Sequence, residues 1–194
     1  MPTLRPATAE DAPGIARIYA PFVSESVVSF ESVAPTAEEI ESRVATNTER
    51  YPWLVCALDE TVGYAYATSH REHDAYRWSV DVSVYVDPDH HRRGIARALY
   101  TALFALSREQ GLFNAYAGIA LPNPASTGFH ESMGFEPVGT YHGVGYKRGD
   151  WHDVRWYEKP LDDRPADPDP PVAFPDLDAP IIERALETGG SLLD

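Results

Sequence analysis

Residues Val84–Arg97 read Val-Tyr-Val-Asp-Pro-Asp-His-His-Arg-Arg-Gly-Ile-Ala-Arg. An apolar strand ends, an Asp-Pro-Asp turn follows, and a helical pattern begins at Gly94. The first turn of a helix has unpaired N–H groups at the positive end of the helix dipole, so it can hold a phosphate group. Gly94 and Ala96 are small enough for a bulky anion to approach the backbone, and counter-charge is supplied by Arg92, Arg93 and Arg97. The segment predicts an anion-binding strand–turn–helix junction, although an ordinary capped helix with a basic end has the same local pattern.

The elements on either side of this junction predict an α/β domain. Ser79–Val86 alternates, with four valines on one face and Asp81, Ser83 and Tyr85 on the other. A helix from about Gly94 to Arg108 follows it. The other predicted elements are helices that begin with capping boxes at Thr8 and Thr36, a hairpin of Trp53–Leu58 and Val62–Thr68, a strand at Phe113–Ala120, a short helix at Ala125–Met133, and closing strands at Phe135–Tyr141 and Val154–Lys159.

The charge of the chain excludes some partners. The 194 residues include thirty acidic and sixteen basic ones, which gives a net charge of −14. Lys147 and Lys159 are the only lysines. Such a surface repels nucleic acid and anionic membrane, so neither is an expected partner. Dense carboxylates with few lysines favour a halophilic host; a moderately acidic cytoplasmic protein with GC-rich coding bias is the alternative.

The ends of the chain and its cysteine content bear on location and organisation. We find no signal peptide and no apolar run long enough to span a bilayer, so a cytoplasmic location is expected. Cys56 is the only cysteine, which excludes an internal disulfide framework and a cysteine zinc cluster. Composition predicts a domain over residues 1–161 and an acidic Pro/Asp-rich tail over 162–194, with a short helix at Ile181–Thr188.

Two motifs resemble those of the Gcn5-related N-acetyltransferase superfamily. His91–Ala96 is similar to its pyrophosphate-binding motif Q/R-x-x-G-x-G/A, with His91 where Gln or Arg is usual. The loop at Asn123, the short helix after it and the Gly134-Phe135 ending match a second motif. The resemblance implies the acyl-CoA N-acyltransferase fold, which is a mixed, largely antiparallel sheet flanked by helices and splayed where the pantetheine arm enters.

A closer resemblance points to phosphinothricin and methionine sulfoximine N-acetyltransferases. It is carried by Tyr51–Val55, Asp74–Tyr76, Val84–Val86 and Gly149–Val154, and it spans roughly residues 3–160. It implies acetyl-CoA as co-substrate, an amino-acid-like acceptor, a substrate pocket that includes Phe30, Tyr76 and Arg77, and a homodimer. The cofactor contacts that it implies are Val84, Tyr85, Val86, Arg92, Arg93, Gly94, Ile95, Ala96, Arg97, Asn123 and Ser126.

Two residues are candidates for proton transfer. Asp81 interrupts a valine-rich strand, where aspartate is disfavoured, and the related enzymes place a glutamate base at this position. Asp81 is one methylene shorter, so a water could carry the proton. His130 lies four residues before Gly134, where it could protonate the departing thiolate or approach the attacking amine. A solvated strand residue and a packing histidine are the structural alternatives.

The sequence predicts direct transfer, because Cys56 lies away from both motifs, and it predicts no metal. Two other functions stay open. One is acetylation of another primary amine, such as a polyamine, an aminoglycoside or a protein N-terminus. The other is a non-catalytic acetyl-CoA-sensing module, which would keep Arg93, Gly94 and Asn123 but need neither Asp81 nor His130.

Overall fold

The computed structural model describes residues 2–193 and contains one seven-stranded mixed sheet with helices on both faces. The strand order is β1-β2-β3-β4-β5-β7-β6, and all neighbours pair antiparallel except β4 and β5. The predicted fold class is confirmed. The strands are β1 Thr3–Pro6, β2 Trp53–Ala57, β3 Thr61–Ser69, β4 Ser79–Val86, β5 Asn114–Ala120, β6 Glu136–Lys147 and β7 Asp150–Pro160; the helices are α1 Ala12–Ser24, α2 Ala37–Thr48, α3 Ile95–Glu109, α4 Pro124–Ser132 and α5 Ala179–Gly190.

Both capping boxes start helical structure. Thr36 Oγ1 accepts the Glu39 N–H, and the Glu39 carboxylate accepts the Thr36 N–H at 2.8 Å, immediately before α2. At the other box Asp11 accepts the Thr8 N–H at 2.9 Å. A 3₁₀ turn follows Thr8, so α1 begins at Ala12, later than the pattern predicts.

Strand β4 separates two hydrophobic clusters. Its residues Val80, Val82 and Val86 belong to the larger cluster, which is built around α3. On the opposite face Tyr85 packs against Tyr19 of α1, with ring centroids 5.1 Å apart. The alternation of β4 therefore places its valines against α3 and its polar or aromatic residues on the face that α1 covers.

The pairing between β4 and β5 is short. The two strands run parallel and are in register only at Ser79–Asn114, Val80–Ala115 and Asp81–Tyr116. Both strands continue beyond this point, β4 to Val86 and β5 to Ala120, without pairing to each other. The sheet therefore opens as a wedge immediately after Asp81.

The hairpin of β6 and β7 is longer than predicted. Its strands meet at Arg148 and Gly149, whose φ angles of 55° and 86° fit a two-residue turn of left-handed conformation. Residues 136–147 are exposed or half-buried throughout, so β6 shows no alternation of apolar and polar residues. The pattern that identifies a half-buried strand is absent here, which is why the sequence prediction ended β6 at Tyr141.

Residues 162–193 pack along the domain. Trp78 Nε1 donates to the Asp169 carbonyl and Gln110 Nε2 to the Val172 carbonyl, both at 2.8 Å. Helix α5 lies against α3 and β1, and a Cβ at Gly189 would lie only 2.5 Å from the Ala98 carbonyl oxygen. Phe174 and Ala185 join the larger hydrophobic cluster. Across residues 2–193, no helix has the length and apolar character needed to span a membrane.

Candidate functional site

The loop between β4 and α3 is held by side chains at its start. Asp87 follows the last strand residue, is 8% exposed, and accepts the Asp89 N–H at 3.0 Å, which closes the 3₁₀ turn Pro88–His90. Arg17 of α1 donates to the same carboxylate at 2.5 Å. Burial would raise the pKa of Asp87, but the hydrogen bonds from Arg17 and Asp89 lower it below its ordinary value. A charged Asp87 therefore fixes the point at which the chain leaves the sheet.

The loop itself presents backbone amides. Arg92 and Gly94 have φ angles of 62° and 78°, so the chain alternates in handedness just before the helix, as in anion-binding backbone nests. Gly94 caps α3, whose first helical bond runs from the Ala98 N–H to the Gly94 carbonyl at 2.9 Å. The amides of Ile95, Ala96 and Arg97 precede that bond and have no acceptor in the preceding turn. This geometry suits a phosphate.

His91 has a structural explanation in place of the usual Gln or Arg. Its Nε2–H donates to the carbonyl of Val86 at 3.0 Å. The side chain therefore ties the loop back to the end of β4 while its backbone continues toward Gly94.

A cavity of about 460 Å³, which we call the cofactor cleft, lies between this loop and α4. Val28, His90, Phe129 and His130 are among its walls. The predicted cofactor residues that line it are Val84, Tyr85, Val86, Arg92, Gly94, Ile95, Ala96, Arg97, Asn123 and Ser126. Arg93 is the one member of the predicted set that does not line it; its side chain is exposed.

The second motif forms the opposite wall of the cleft. Asn123 precedes α4, and its Oδ1 accepts the Ser126 N–H at 3.1 Å, so the asparagine caps the helix. Across the cleft Arg97 Nη2 donates to Ser132 Oγ at 3.1 Å, which links α3 to α4. Both motifs therefore contribute helix N-termini to one cavity.

A smaller cavity of about 60 Å³ lies in the wedge between β4 and β5, and we call it the splay cavity. Ser83, Tyr100 and Gly118 line it and were not predicted as site residues. It shares Val84, Asn123 and other walls with the cofactor cleft, so the two spaces adjoin. The edge of β4 that faces it has no strand partner beyond Asp81, which leaves backbone groups for an extended ligand.

His130 faces both cavities but has no proton directed into them. Its Nδ1 lies 2.8 Å from the Ser126 carbonyl oxygen, which can only accept, so Nδ1 carries the hydrogen. Burial lowers the pKa of His130 and so favours the neutral ring, whose Nε2 accepts from the Tyr100 hydroxyl at 3.1 Å. This arrangement does not favour the predicted role of His130 as donor to the thiolate.

Asp81 lies where β4 and β5 part, on the face opposite α3. Its Oδ1 is 2.6 Å from Nδ1 of His70, a contact that the sequence analysis missed. Burial raises the pKa of Asp81, and the hydrogen bond and charge of His70 and the charge of Arg71 oppose that rise. The alternation of side chains along β4 already predicts that Ser83 and Asp81 share a face. The position of His70 next to Asp81 depends on the register of β3 on β4, which the sequence pattern does not show.

The three predicted substrate residues do not converge. Phe30 is half exposed and packs on the β6–β7 hairpin, 6.4 Å from the His152 ring. Tyr76 lies edge-on to His70 at 5.9 Å, which places it near Asp81. Arg77 pairs with Asp74 and lies over the Trp78 ring. Arg71 instead lies 5.9 Å from the centroid of the Trp156 ring. Arg71 therefore lies on the Asp81 face of the sheet, while Arg77 lies beside Asp74 and Trp78.

The arrangement can support direct acyl transfer. A thioester in the wedge between β4 and β5 would have Asp81 at its inner end, beside an aromatic face that includes Tyr66, Tyr116 and Trp156. Cys56 is fully buried, and burial raises the pKa of its thiol to about 11, so it has no nucleophilic role. Among residues 2–193 no cluster of three His, Cys, Asp or Glu side chains could hold a metal ion.

Known proteins with similar sequences share most of the chain. The family model "Acetyltransferase (GNAT) domain" matches residues 4–156. A phosphinothricin N-acetyltransferase of Streptomyces viridochromogenes is 37% identical over 168 residues, covering 86% of this chain and 91% of that protein. An L-methionine sulfoximine/L-methionine sulfone acetyltransferase of Pseudomonas paraeruginosa is 34% identical over 166 residues, covering 82% of this chain and 95% of that protein.

Solved structures show the same architecture. A phosphinothricin acetyltransferase of the GNAT superfamily from Sinorhizobium meliloti, solved with acetyl-CoA, has a TM-score of 0.81 at 31% identity and covers 89% of this chain and 98% of its own. A putative acetyltransferase of Salmonella typhimurium, solved with acetyl-CoA, has a TM-score of 0.82 at 30% identity, covering 87% and 98%. The superfamily resemblance is confirmed: the chain belongs to the GNAT family and is an N-acetyltransferase that uses acetyl-CoA.

Proposed function

We propose that this enzyme transfers the acetyl group of acetyl-CoA to the α-amino group of a small amino-acid-like acceptor of the phosphinothricin or methionine sulfoximine type. The observation that carries the proposal is the position of Asp81 at the point where β4 and β5 part. A carboxylate there directly precedes Val82 and Ser83, which line the splay cavity, so an amine on the α1 face would meet a thioester beside it.

The cofactor cleft supports the donor side of the reaction. The pyrophosphate would lie on the amides of Ile95, Ala96 and Arg97, with Arg92 as an additional cation, and the pantetheine arm along the open edge of Val84–Val86. Asn123 and Ser126 would bound the arm from the α4 side. Arg93 would contribute charge to the surroundings of the loop.

Asp81 supports the chemistry. An α-ammonium group has a pKa of about 8, so its proton must be removed before attack, and a modest base suffices. Because burial raises the pKa of Asp81, the carboxylate is a better proton acceptor than an exposed aspartate. The neutral amine then attacks the thioester carbonyl. As the C–S bond breaks, the nitrogen gives up its second proton and the departing thiolate takes up one proton, so the products are the N-acetyl amide and free CoA.

The residues around Asp81 support an amino-acid-like acceptor. Arg71 supplies a cation suited to an α-carboxylate, and its charge already acts on Asp81. Tyr76, beside His70, provides aromatic surface for a short side chain. His130 and Tyr100 serve as a neutral hydrogen-bonded wall of the splay cavity. The family relatives whose names include phosphinothricin and methionine sulfoximine support this choice.

Rates with a set of acceptors test the proposal. We expect kcat/KM to be higher for methionine sulfoximine, methionine sulfone or phosphinothricin than for spermidine or a peptide N-terminus, since this ratio measures discrimination in the transition state. Methionine, which lacks the side-chain oxygens, is the matched acceptor control. Thiol release measures turnover, and spermidine or the peptide in first place would contradict the acceptor assignment.

The variant Asp81→Asn is the control for chemistry. It keeps the shape of the side chain but removes the base, so turnover should fall by about two to four orders of magnitude with acetyl-CoA binding retained. Near-normal turnover of this variant at neutral pH would remove Asp81 from the mechanism.

Gly94→Val tests the phosphate loop. Gly94 has a φ of 78°, which is unfavourable for valine, and a Cβ there would lie 2.8 Å from the Leu192 carbonyl oxygen. The loop must therefore move in the variant, and its affinity for acetyl-CoA should be lost. Gly111→Val is the matched control, because Gly111 has a φ of 81° at the other end of α3. Calorimetry should show that Gly94→Val loses affinity for acetyl-CoA and that Gly111→Val keeps it. A folded Gly94→Val variant that binds acetyl-CoA as tightly as Gly111→Val would contradict the loop assignment.

We further propose a homodimer that forms through the β6–β7 hairpin. Five large apolar side chains on this hairpin are more than half exposed, and the most exposed is Trp151 at 64%. Such a patch is typical of an interaction surface. Sedimentation should show a dimer that Trp151→Arg dissociates and that Val33→Arg, at an exposed apolar residue outside the hairpin, does not. A monomeric wild-type protein would contradict the proposal.

The acidic composition leads us to propose a halophilic, cytoplasmic enzyme. In a protein with a net charge of −14, the acidic side chains repel one another at low ionic strength, and salt screens this repulsion. The melting temperature should rise from dilute buffer to molar KCl, and Asp163→Asn, Asp167→Asn and Asp169→Asn together, all exposed, should reduce the rise. The variant keeps Phe174 in the core, unlike a deletion of the tail. A salt-independent melting temperature would exclude the halophilic proposal.

A further inference from the structure

His70 is fixed beside Asp81 by the register of β3 and β4. Thr68 pairs with Asp81, and His70 lies two residues beyond Thr68, so both side chains point to the same face. The His70 N–H contacts the Ser79 carbonyl at 3.4 Å, which continues the ladder by one step. The two side chains meet at 2.6 Å between Nδ1 and Oδ1. This short contact is typical of a charge-assisted hydrogen bond.

The imidazole ring is held by aromatic neighbours. It stacks on Tyr116 with centroids 4.4 Å apart and an interplanar angle of 23°. Tyr76 and Trp156 contact it edge-on at 5.9 and 6.1 Å. The side chain is only 14% exposed. A ring packed on three sides cannot swing away from Asp81 without losing these contacts.

The direction of β4 places Asp81 between His70 and the splay cavity. Ser79 lies beside His70, Asp81 follows it on the same face, and Ser83 lines the cavity. The hydrogen bonds of the described residues include no protein donor to Oδ2 of Asp81. One carboxylate oxygen is therefore occupied from behind and the other is left for a ligand.

We propose that His70 is a positioning residue for Asp81, whose Nδ1–H donates to Oδ1 and leaves Oδ2 directed at the ammonium proton of the acceptor. The inference rests on the proposed function, because it assigns how the base of that reaction is held. In the step itself an N–H bond of the ammonium group breaks, an O–H bond forms at Oδ2, and the electron pair stays on the amine nitrogen for attack. The imidazole keeps its proton throughout.

The electrostatic surroundings agree with this role. Burial raises the pKa of Asp81, and His70 and Arg71 are the groups that oppose it. The other titratable groups that face the ring are Tyr76 and Tyr116, and Glu158 and Arg164 act on Tyr116 with opposite charges. Without His70, burial would keep Asp81 protonated to a higher pH, so the base would be lost at the acid end of the pH profile.

Two substitutions separate positioning from packing. His70→Phe keeps the aromatic stack on Tyr116 but removes the donor; the acid limb of the kcat/KM profile should move up by about one pH unit or more, since a hydrogen bond to a charged group is worth that shift. His70→Gln restores an N–H donor without the ring and should return the limb toward that of the wild type. His73→Phe, which alters a nearby exposed histidine, should leave the profile unchanged. Acetyl-CoA affinity should be constant throughout.

The results overturn the inference if His70→Phe keeps the wild-type rate and acid limb. They also overturn it if the Phe and Gln variants lose rate equally with the limb unmoved, since ring packing alone would then explain the loss. A measurement without acceptor distinguishes this failure from failure of the proposed function: NMR should detect the Nδ1–H of His70 in its hydrogen bond to Oδ1, and Asp81→Ala, which removes the acceptor, should move or abolish that resonance. A wild-type enzyme that acetylates none of the acceptors refutes the proposed function, while an Nδ1–H resonance that Asp81→Ala leaves unchanged refutes the pair.

Discussion

The separation of β4 from β5 is the constraint on which the rest of the site depends. Three residue pairs join the strands, and the ladder stops at Asp81 although both strands continue. The backbone N–H and C=O groups on the unpaired edges of β4 and β5 need hydrogen-bond partners wherever they are shielded from water, because an unpaired buried group destabilises the fold. A ligand with amide groups of its own can supply them, as an added strand does. In the proposed function, the wedge sets the path of the donor and the depth at which its thioester stops.

The anion site depends on the same separation, because the loop and helix at the end of β4 face the opening. In a chain with a net charge of −14, a phosphate group would be repelled from most of the surface. The chain offsets this locally with backbone dipoles and with Arg92 and Arg97. Asp87 and His91 then hold the loop in place through Arg17 and the Val86 carbonyl, so the amides are fixed before a ligand binds.

On the face where the proposed acceptor would bind, burial of a charged group is the main constraint. The face of the sheet opposite α3 is aromatic around Asp81, and burial in such a setting disfavours a charge unless a donor compensates it. His70 and Arg71, the two residues that follow β3, provide that compensation. The result is a carboxylate that remains partly desolvated and still ionisable, which is the state that proton abstraction from an amine requires.

Local residue patterns predicted most of the helices and strands and the junction between β4 and α3. The capping box at Thr36, the alternation of β4 and the small residues at Gly94 and Ala96 act within a few residues of each other, so their consequences are visible along the chain. The sequence could not show that β6 extends to Lys147, because an exposed strand carries no alternation. Asp81 was predicted as a candidate base because an aspartate in an apolar strand is unusual and because the related enzymes place a glutamate there.

Only the tertiary structure decided the partners of these residues. His70 meets Asp81 through strand register, Nε2 of His130 accepts from the Tyr100 hydroxyl of α3, and Arg71 lies over Trp156. The acidic C-terminal segment, polar in composition, contributes Phe174 and Ala185 to the core. The physical reason is common to all four: side-chain contacts between elements distant in sequence depend on register, helix rotation and packing, and none of these is encoded in a local pattern of residue types.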